Sequence, residues 1–449
     1  MNTNAPNLQD ISALTRDAEA GVAAAQFNLG LVWLYGDAGE QNPEKAWKWL
    51  EMAADQGIAE ARAALGVMCL NGQPFGQTTG PDAGQARKHL EDAFESGSVE
   101  AGFRLGTLLL TGLGVDPEPG RGAGMIEDAA RRGHMLALTD AAWCLEHGLG
   151  MKRNPARALK AWQLAAEAGM PRGWFTLGIW LMEGRHVAAD RALAGACLSQ
   201  AAGQDYPLAA ETLGQLQEES TADPGQALNV KVREATGPVP AKPEIETLRD
   251  SPRIRLLHDF IPLEVRAHLI DRARRLIEPS KVLTRDGTVS RKAIRTSGEM
   301  NFLPEMRDIT IWHLEQRLHQ AAGIPSENGE PLIVLHYTPG TEYKPHYDYF
   351  DPADPGHARG LRHGGQRIVT MLSYLNPVAA GGATAFPELD LTVPPEPGMV
   401  LEFCNTADDG SIDPRTLHAG LPVEEGEKWL ATRWIREDTF IRDPDEPES

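Results

Sequence analysis

A ten-residue phrase returns through the first half of the chain at nearly constant intervals. Glycine opens it, alanine follows, and Leu-Gly closes it. It reads GVAAAQFNLG to Gly30, GIAEARAALG to Gly66, GSVEAGFRLG to Gly106 and GMPRGWFTLG to Gly178, and more loosely ends at Leu213-Gly214. In the remaining copy Ala142 stands where glycine is expected. Successive steps are 36, 40, 36, 36 and 36 residues. The longer step carries its extra residues in GQPFGQTTGPD, a composition that marks a loop able to absorb an insertion. Between the phrases, KAWKWLEMAADQG and RALKAWQLAAEAG space their apolar residues by three and four, the period of a helix. Gly57, Gly97, Gly133, Gly169 and Gly203 follow as helix stops. Each unit is then a helix pair that cannot bury its own apolar face, and stacking on its neighbours buries it. His89, His134, His147 and His186 lack ligand spacing and read as packing or surface residues.

The expected organisation is a repeat solenoid over 10–217, a linker over 218–249, a second domain over 250–440 and an acidic tail over 441–449. Pro224, Pro238, Pro240 and Pro243 mark the linker, and DPDEPES the tail. The formal net charge of -20 disfavours phosphate backbones and anionic membranes. Nucleic-acid and membrane partners are therefore not expected. The four cysteines, Cys69, Cys144, Cys197 and Cys404, form no Cys-x-x-Cys pair. With no basic-then-apolar leader at the N-terminus and no long apolar run, the expected location is cytoplasmic.

The second half opens with a short strand and then an amphipathic helix, where Val265, Leu269, Ala273 and Leu276 fall near one face. Short apolar runs follow between turn signals: PLIVLHY, RIVTMLSYL, MVLEFC and KWLATRWI. They predict an antiparallel double-sheet jelly roll with flanking helices. Within it, VLHYTPGTEYKPHYDYF holds His346-Tyr347-Asp348. On an extended strand His346 and Asp348 point to one side and Tyr347 to the other. A second histidine, His418 in RTLHAG, would complete a two-histidine, one-carboxylate face of the kind that suits non-haem Fe(II). His336 faces away from Tyr337 if its strand is regular. His357 and His363 lie in the Gly- and Pro-rich segment 351–366, which reads as a mobile loop beside the site.

The repeats resemble the SEL-like repeats, relatives of the tetratricopeptide repeat, over roughly 15–217. In the second half one order of residues carries a closer resemblance. It runs Tyr337, Gly340, Tyr343, His346, Asp348, Arg367, Thr370, Tyr374-Leu375-Asn376, Gly381-Gly382, Thr384, Phe386-Pro387 and Pro397-Gly398, then Phe403, Asn405, His418, Lys428-Trp429 and Trp434. This resembles the catalytic domain of the prolyl 4-hydroxylases, within the Fe(II)- and 2-oxoglutarate-dependent dioxygenases, over roughly 250–440. The resemblance implies a double-stranded β-helix. It implies His346, Asp348 and His418 as metal ligands and Lys428 as the cation for the distal carboxylate of 2-oxoglutarate. Tyr337 and Thr384 fall at positions near that cosubstrate. Tyr343 and Arg367 fall near the substrate entrance, and Arg295 is a further candidate there. Fe(II), 2-oxoglutarate, dioxygen and L-ascorbate are the implied cofactors.

The activity so implied is hydroxylation of a protein or peptide, at C4 of proline, with the solenoid docking the partner. Two alternatives stay open. In one, the same chemistry acts on a small molecule or another side chain, and the repeats serve homo-oligomerisation. In the other, the repeats are a non-enzymatic scaffold and the barrel a relic.

Overall fold

The structure, a computed structural model, describes residues 8–37, 39, 41–73, 82–216, 222–232, 243–279, 282–283, 289–290, 296–303 and 306–440. The chain divides into two compact units, with the boundary between Ala165 and Ala166. The first unit holds α1 (Leu8–Glu19), α2 (Ala23–Tyr35), α3 (Pro43–Asp55), α4 (Ala59–Leu70), α5 (Ala83–Glu95), α6 (Val99–Thr111), α7 (Pro119–Arg131), α8 (Met135–His147) and α9 (Pro155–Glu167), whose last two residues cross the boundary.

The Leu-Gly phrase marks where helices touch. A Cβ on Gly30 would lie 2.7 Å from Leu50, and one on Gly66 would lie 2.8 Å from Leu90. The missing side chain is what lets α3 close on α2 and α5 on α4. Ala46, Leu50, Ala53, Leu65, Met68, Ala86, Leu90, Ala101 and Leu105 join in one buried cluster along these seams. Gly57, Gly97 and Gly133 take positive φ after α3, α5 and α7, as helix stops do. Gly203 departs from that expectation. It keeps a right-handed φ of -63° after its helix, and the left-handed turn passes to Asp205 at 57°.

The second unit begins inside the repeat array. It contains α10 (Pro171–Glu183), α11 (Arg191–Ala202) and α12 (Ala209–Gln215), then α13 (Leu263–Arg274), α14 (Ile309–Ala322) and α15 (Ala358–Leu361). Arg172 on α10 donates to Thr310 Oγ1 on α14 at 2.6 Å. Arg185 meets Glu264 of α13 at 2.5 Å, and that carboxylate is only 4 % exposed. The last helix pair is thus bonded to the same body as the sheets. Val265, Leu269 and Ala273 are buried on α13, as the periodicity predicts. Leu276 is not with them, because the helix ends at Arg274 and leaves it 48 % exposed.

Strands are β1 (Ile245–Asp250), β2 (Arg253–Leu257), β3 (Glu278–Pro279), β4 (Val282–Leu283), β5 (Val289–Ser290), β6 (Gly298–Phe302), β7 (Leu332–Tyr337) and β8 (Tyr343–His346). They continue with β9 (Arg367–Tyr374), β10 (Ala380–Gly381), β11 (Thr384–Phe386), β12 (Leu391–Val393), β13 (Val400–Cys404), β14 (His418–Gly420), β15 (Val423–Glu425) and β16 (Lys428–Arg436). One sheet runs β1-β2-β13-β9-β16-β7-β6-β3, and a smaller one β12-β11-β14-β8. Leu335, Tyr337, Leu372, Tyr374, Leu401, Phe403 and Leu430 from the first pack with Phe386 and Val393 from the second. This is the expected jelly roll. Alternation explains which residues enter it, since β16 sends Lys428 and Leu430 to one side and Trp429 and Ala431 to the other.

The segment 218–249 contains a 3-10 turn at Pro224–Asn229, with Ala227 buried, and the start of β1. The segment 351–366 is folded, as a 3-10 turn at Pro355–His357 running into α15. The Gln366 amide closes its base, accepting from Phe350 N and donating to Phe350 O, both at 2.7 Å. Arg436 donates to the Gly360 carbonyl at 2.6 Å. Pro238, Pro240, residues 74–81 of the insertion, Arg295 and the tail 441–449 lie outside the described residues. Among the described residues no helix is long and apolar enough to cross a membrane.

Candidate metal and cosubstrate site

β8 and β14 run antiparallel with His346 directly opposite His418. The two imidazoles therefore come together by strand register, with ring centroids 4.2 Å apart. Asp348 joins them from beyond the strand. β8 ends at His346, and Asp348 sits in the bend that follows, so strand alternation is not what aims it. Its Oδ2 accepts from Thr370 Oγ1 at 2.7 Å, and Thr370 Oγ1 accepts from Asn405 Nδ2 at 2.9 Å. That chain of bonds from β9 and the end of β13 turns the carboxylate toward the histidines. Asp348 Oδ1 lies 3.6 Å from His346 Nε2, and Oδ2 lies 3.6 Å from His418 Nε2. One ligand atom from each of the three residues falls within 4.8 Å of the others.

The tautomers suit a metal. Nδ1 of His346 meets the Lys344 carbonyl at 2.8 Å, and Nδ1 of His418 meets the Thr416 carbonyl at 3.0 Å. A carbonyl oxygen only accepts, so both Nδ1 atoms carry a proton, and Nε2 is the atom that each ring turns toward the cluster. Burial pushes the Asp348 carboxyl up, but His418, His346, Arg367 and the Thr370 hydroxyl outweigh it and hold it below the ordinary range. Two imidazoles presenting Nε2 and one carboxylate match the donor set that Fe(II) takes in its oxygenase sites.

Deeper in the same barrel stands Lys428, paired across the strands with Tyr337. It is 2 % exposed. Its Nζ donates to the Gly382 carbonyl at 2.6 Å, and it lies 5.4 Å from the Tyr337 ring and 5.5 Å from the Tyr374 ring. Thr384 Oγ1 and Tyr374 Oη are 2.8 Å apart. Among the described residues no acidic side chain pairs with Lys428, and burial alone pulls its pKa down to about 7. A buried ammonium without a protein counter-charge fits a site that receives an anion.

Two further candidates are fixed within the fold. Arg367 gives its Nε and Nη2 to the two oxygens of Glu330 at 2.5 and 2.7 Å. Its guanidinium lies 3.7 Å above the Trp434 ring. Tyr343 lies flat against His346 with centroids 3.4 Å apart. His336 stacks on Trp429 at 4.1 Å and bonds Glu427 at 3.1 Å, away from Tyr337 as its strand position predicts. Cys404 is partly buried, and burial raises its thiol pKa. Glu330 carries no motif signal, and the supporting parts of Thr370 and Asn405 emerge only from their bonds.

The 2OG-Fe(II) oxygenase superfamily profile matches residues 332–436. The Sel1 repeat profile matches 23–58, 59–98, 99–134, 136–170 and 175–206. The chain is 37% identical over 212 residues to Probable prolyl 4-hydroxylase 10 of Arabidopsis thaliana, a match covering 43% of this chain and 71% of that protein. Among solved structures, a viral collagen prolyl hydroxylase from Paramecium bursaria Chlorella virus-1, in complex with 2OG, is 26% identical. That match covers 41% of this chain and 95% of the other, with a TM-score of 0.32. A Sel1 repeat protein from Oxalobacter formigenes is 25% identical, covering 48% of this chain and 88% of that one, with a TM-score of 0.39. The chain belongs to the prolyl 4-hydroxylase family and is a 2-oxoglutarate-dependent dioxygenase, using Fe(II), 2-oxoglutarate and dioxygen, with Sel1 repeats preceding its oxygenase domain.

Proposed function

We propose that this chain hydroxylates a prolyl residue, at C4, in a protein or peptide that its repeats help to hold. His346, Asp348 and His418 are the metal ligands in this reading. Lys428 is the cation for the distal carboxylate of 2-oxoglutarate, and Tyr337 and Thr384 line the same pocket. The observation that carries it is the meeting, in one barrel, of the histidine–aspartate–histidine cluster with a buried lysine that has no acidic partner among the described residues. The similarity to Arabidopsis prolyl 4-hydroxylases supports proline as the target. Stacked repeats present an extended surface suited to a protein partner.

When bound, Fe(II) and 2-oxoglutarate supply the oxidising power, so that dioxygen ends as one oxygen in succinate and one in the hydroxyl, with carbon dioxide released. The chain's own residues orient and enclose. The Lys344 and Thr416 carbonyls hold both imidazoles with Nε2 inward. Thr370 and Asn405 hold Asp348. Lys428, desolvated, forms a strong charge-assisted bond to a carboxylate and sets its angle of approach.

The test is 2-oxoglutarate consumption by anaerobically purified, Fe(II)-loaded protein, with and without proline-rich peptides and cell lysate. Turnover stimulated by a lysate protein that gains one oxygen atom on proline is the expected result. Oxygen on another side chain, or stimulation only by small molecules, overturns the substrate assignment. His346→Ala and His418→Ala should each abolish turnover, and wild-type turnover in either overturns the ligand assignment.

A further inference from the structure

The pairing of β8 with β14 is irregular next to the metal cluster. His418 lies opposite His346, and Gly420 lies opposite Tyr343. Ala419 alone therefore faces two residues, Lys344 and Pro345. This is a β-bulge with its extra residue in β8. Residues three apart on a regular strand lie on opposite faces. The extra residue cancels that alternation and brings Tyr343 and His346 to the same side. Their rings lie 15° from parallel. Pro345 has no N–H to give to a ladder, and β8 is the last strand of its sheet. The bulge therefore supplies both the Lys344 carbonyl that takes His346 Nδ1–H and the ring that covers one face of the imidazole.

We infer that Tyr343 is a positioning residue for His346, acting through the face of its ring rather than through its hydroxyl. The inference rests on the reading of His346 as a metal ligand. The three ligands differ in how they are held. The side chains of Asp348 and His418 are each 4 % exposed, and that of His346 is 13 % exposed. Asp348 has the Thr370 hydroxyl. His418 has Phe403 edge-on at 4.8 Å. His346, at the sheet margin, has the Tyr343 ring. Without it the imidazole keeps its hydrogen bond to the Lys344 carbonyl but loses the surface that holds the plane of its ring, and a metal must then restrict that motion on binding.

The test uses the full chain and Co(II) alone, titrated anaerobically and followed by calorimetry and visible absorption. Tyr343→Phe keeps the ring and should bind Co(II) as the wild type does. Tyr343→Leu should raise the dissociation constant about tenfold, as loss of an orienting group around a metal ligand does. Equal constants for the wild type and Tyr343→Leu overturn the inference, and so does a Phe variant as weak as the Leu variant. His418→Ala is the reference. Unchanged Co(II) binding there means that the ion sits elsewhere and the metal reading fails, whatever Tyr343 does. Should Tyr343→Leu not fold, the wild-type spectrum decides. His346 ring protons displaced upfield, with Nδ1 protonated, support the stack, and undisplaced protons overturn it.

Discussion

Lys428 gives its Nζ proton to the Gly382 carbonyl oxygen at 2.6 Å, inside a barrel that offers it no carboxylate among the described residues. Its pKa, ordinarily 10.5, is held near 7 by burial. A bound dicarboxylate favours the charged amine and raises that value again. Above pH 7 the ligand-free site is mostly neutral, so 2-oxoglutarate should enter together with a proton. Its apparent dissociation constant should be flat below pH 7 and rise by up to about tenfold per pH unit above it. Calorimetry at pH 8, in buffers of different ionisation enthalpy, measures the proton directly. Uptake near zero would remove Lys428 from the cosubstrate site, and Lys428→Met should abolish both the uptake and most of the affinity.

Asp348 depends on a hydroxyl that itself depends on an amide. Thr370→Val removes the bond to Asp348 Oδ2 and leaves Asn405 Nδ2 without its acceptor. Metal affinity should fall about tenfold or more with the far-ultraviolet circular dichroism unchanged. Co(II) titration of Thr370→Val beside Thr370→Ser checks this, since serine retains the hydroxyl and should retain most of the affinity.

Glu330 neutralises one partly buried and one buried cation. Arg367 binds it through two bonds, and Arg436, 2 % exposed at its side chain, lies 3.3 Å away. Glu330→Gln keeps the size and removes the charge. The loss should be about 3–5 kcal/mol, the range for breaking a buried pair from one side. Urea denaturation measures it. A loss under about 1 kcal/mol, the value for exposed pairs, would mean that water reaches these guanidinium groups.

In the repeats, two glycines should respond in opposite directions to the same change. A Cβ on Gly106 would stand 2.8 Å from the Gly122 carbonyl oxygen, which is backbone and cannot swing away. Gly106→Ala should therefore destabilise by about 1–3 kcal/mol. Gly124, within α7, has nothing within 4 Å of its virtual Cβ, so Gly124→Ala should stabilise by about 0.5–1 kcal/mol. Comparing the two unfolding midpoints tests whether the recurring glycine serves helix contact or merely composition.

What could be read from the chain followed the range of the forces involved. The Leu-Gly step is legible because Gly30, Gly66, Gly106 and Gly178 answer the same local demand, a helix approaching its successor. The strands containing His346, His418 and Lys428 are legible because alternation is local too. Asp348 was recognisable as a residue but not in its setting, because β8 stops at His346 and a side chain on another strand aims the carboxylate. Glu330 gave no sign, since its partners lie 37 and 106 residues away and a lone glutamate ahead of a strand has no period. The contact of Tyr343 with His346 needs the register between strands some seventy residues apart. No single strand contains that information. The Gly382 carbonyl is backbone, invisible to any reading of side chains.

The two bonds from Gln366 to Phe350 tie together the ends of the segment 351–365 beside the metal cluster. With its ends fixed, doubling the length of such a loop costs only about 0.6 kcal/mol in closure entropy. Insertions and replacements at its exposed residues, Pro352 and Ala353 among them, leave Asp348 on one side and β9 on the other where they are. This is where the sequence can drift first, while the chemistry next to it is inherited unchanged.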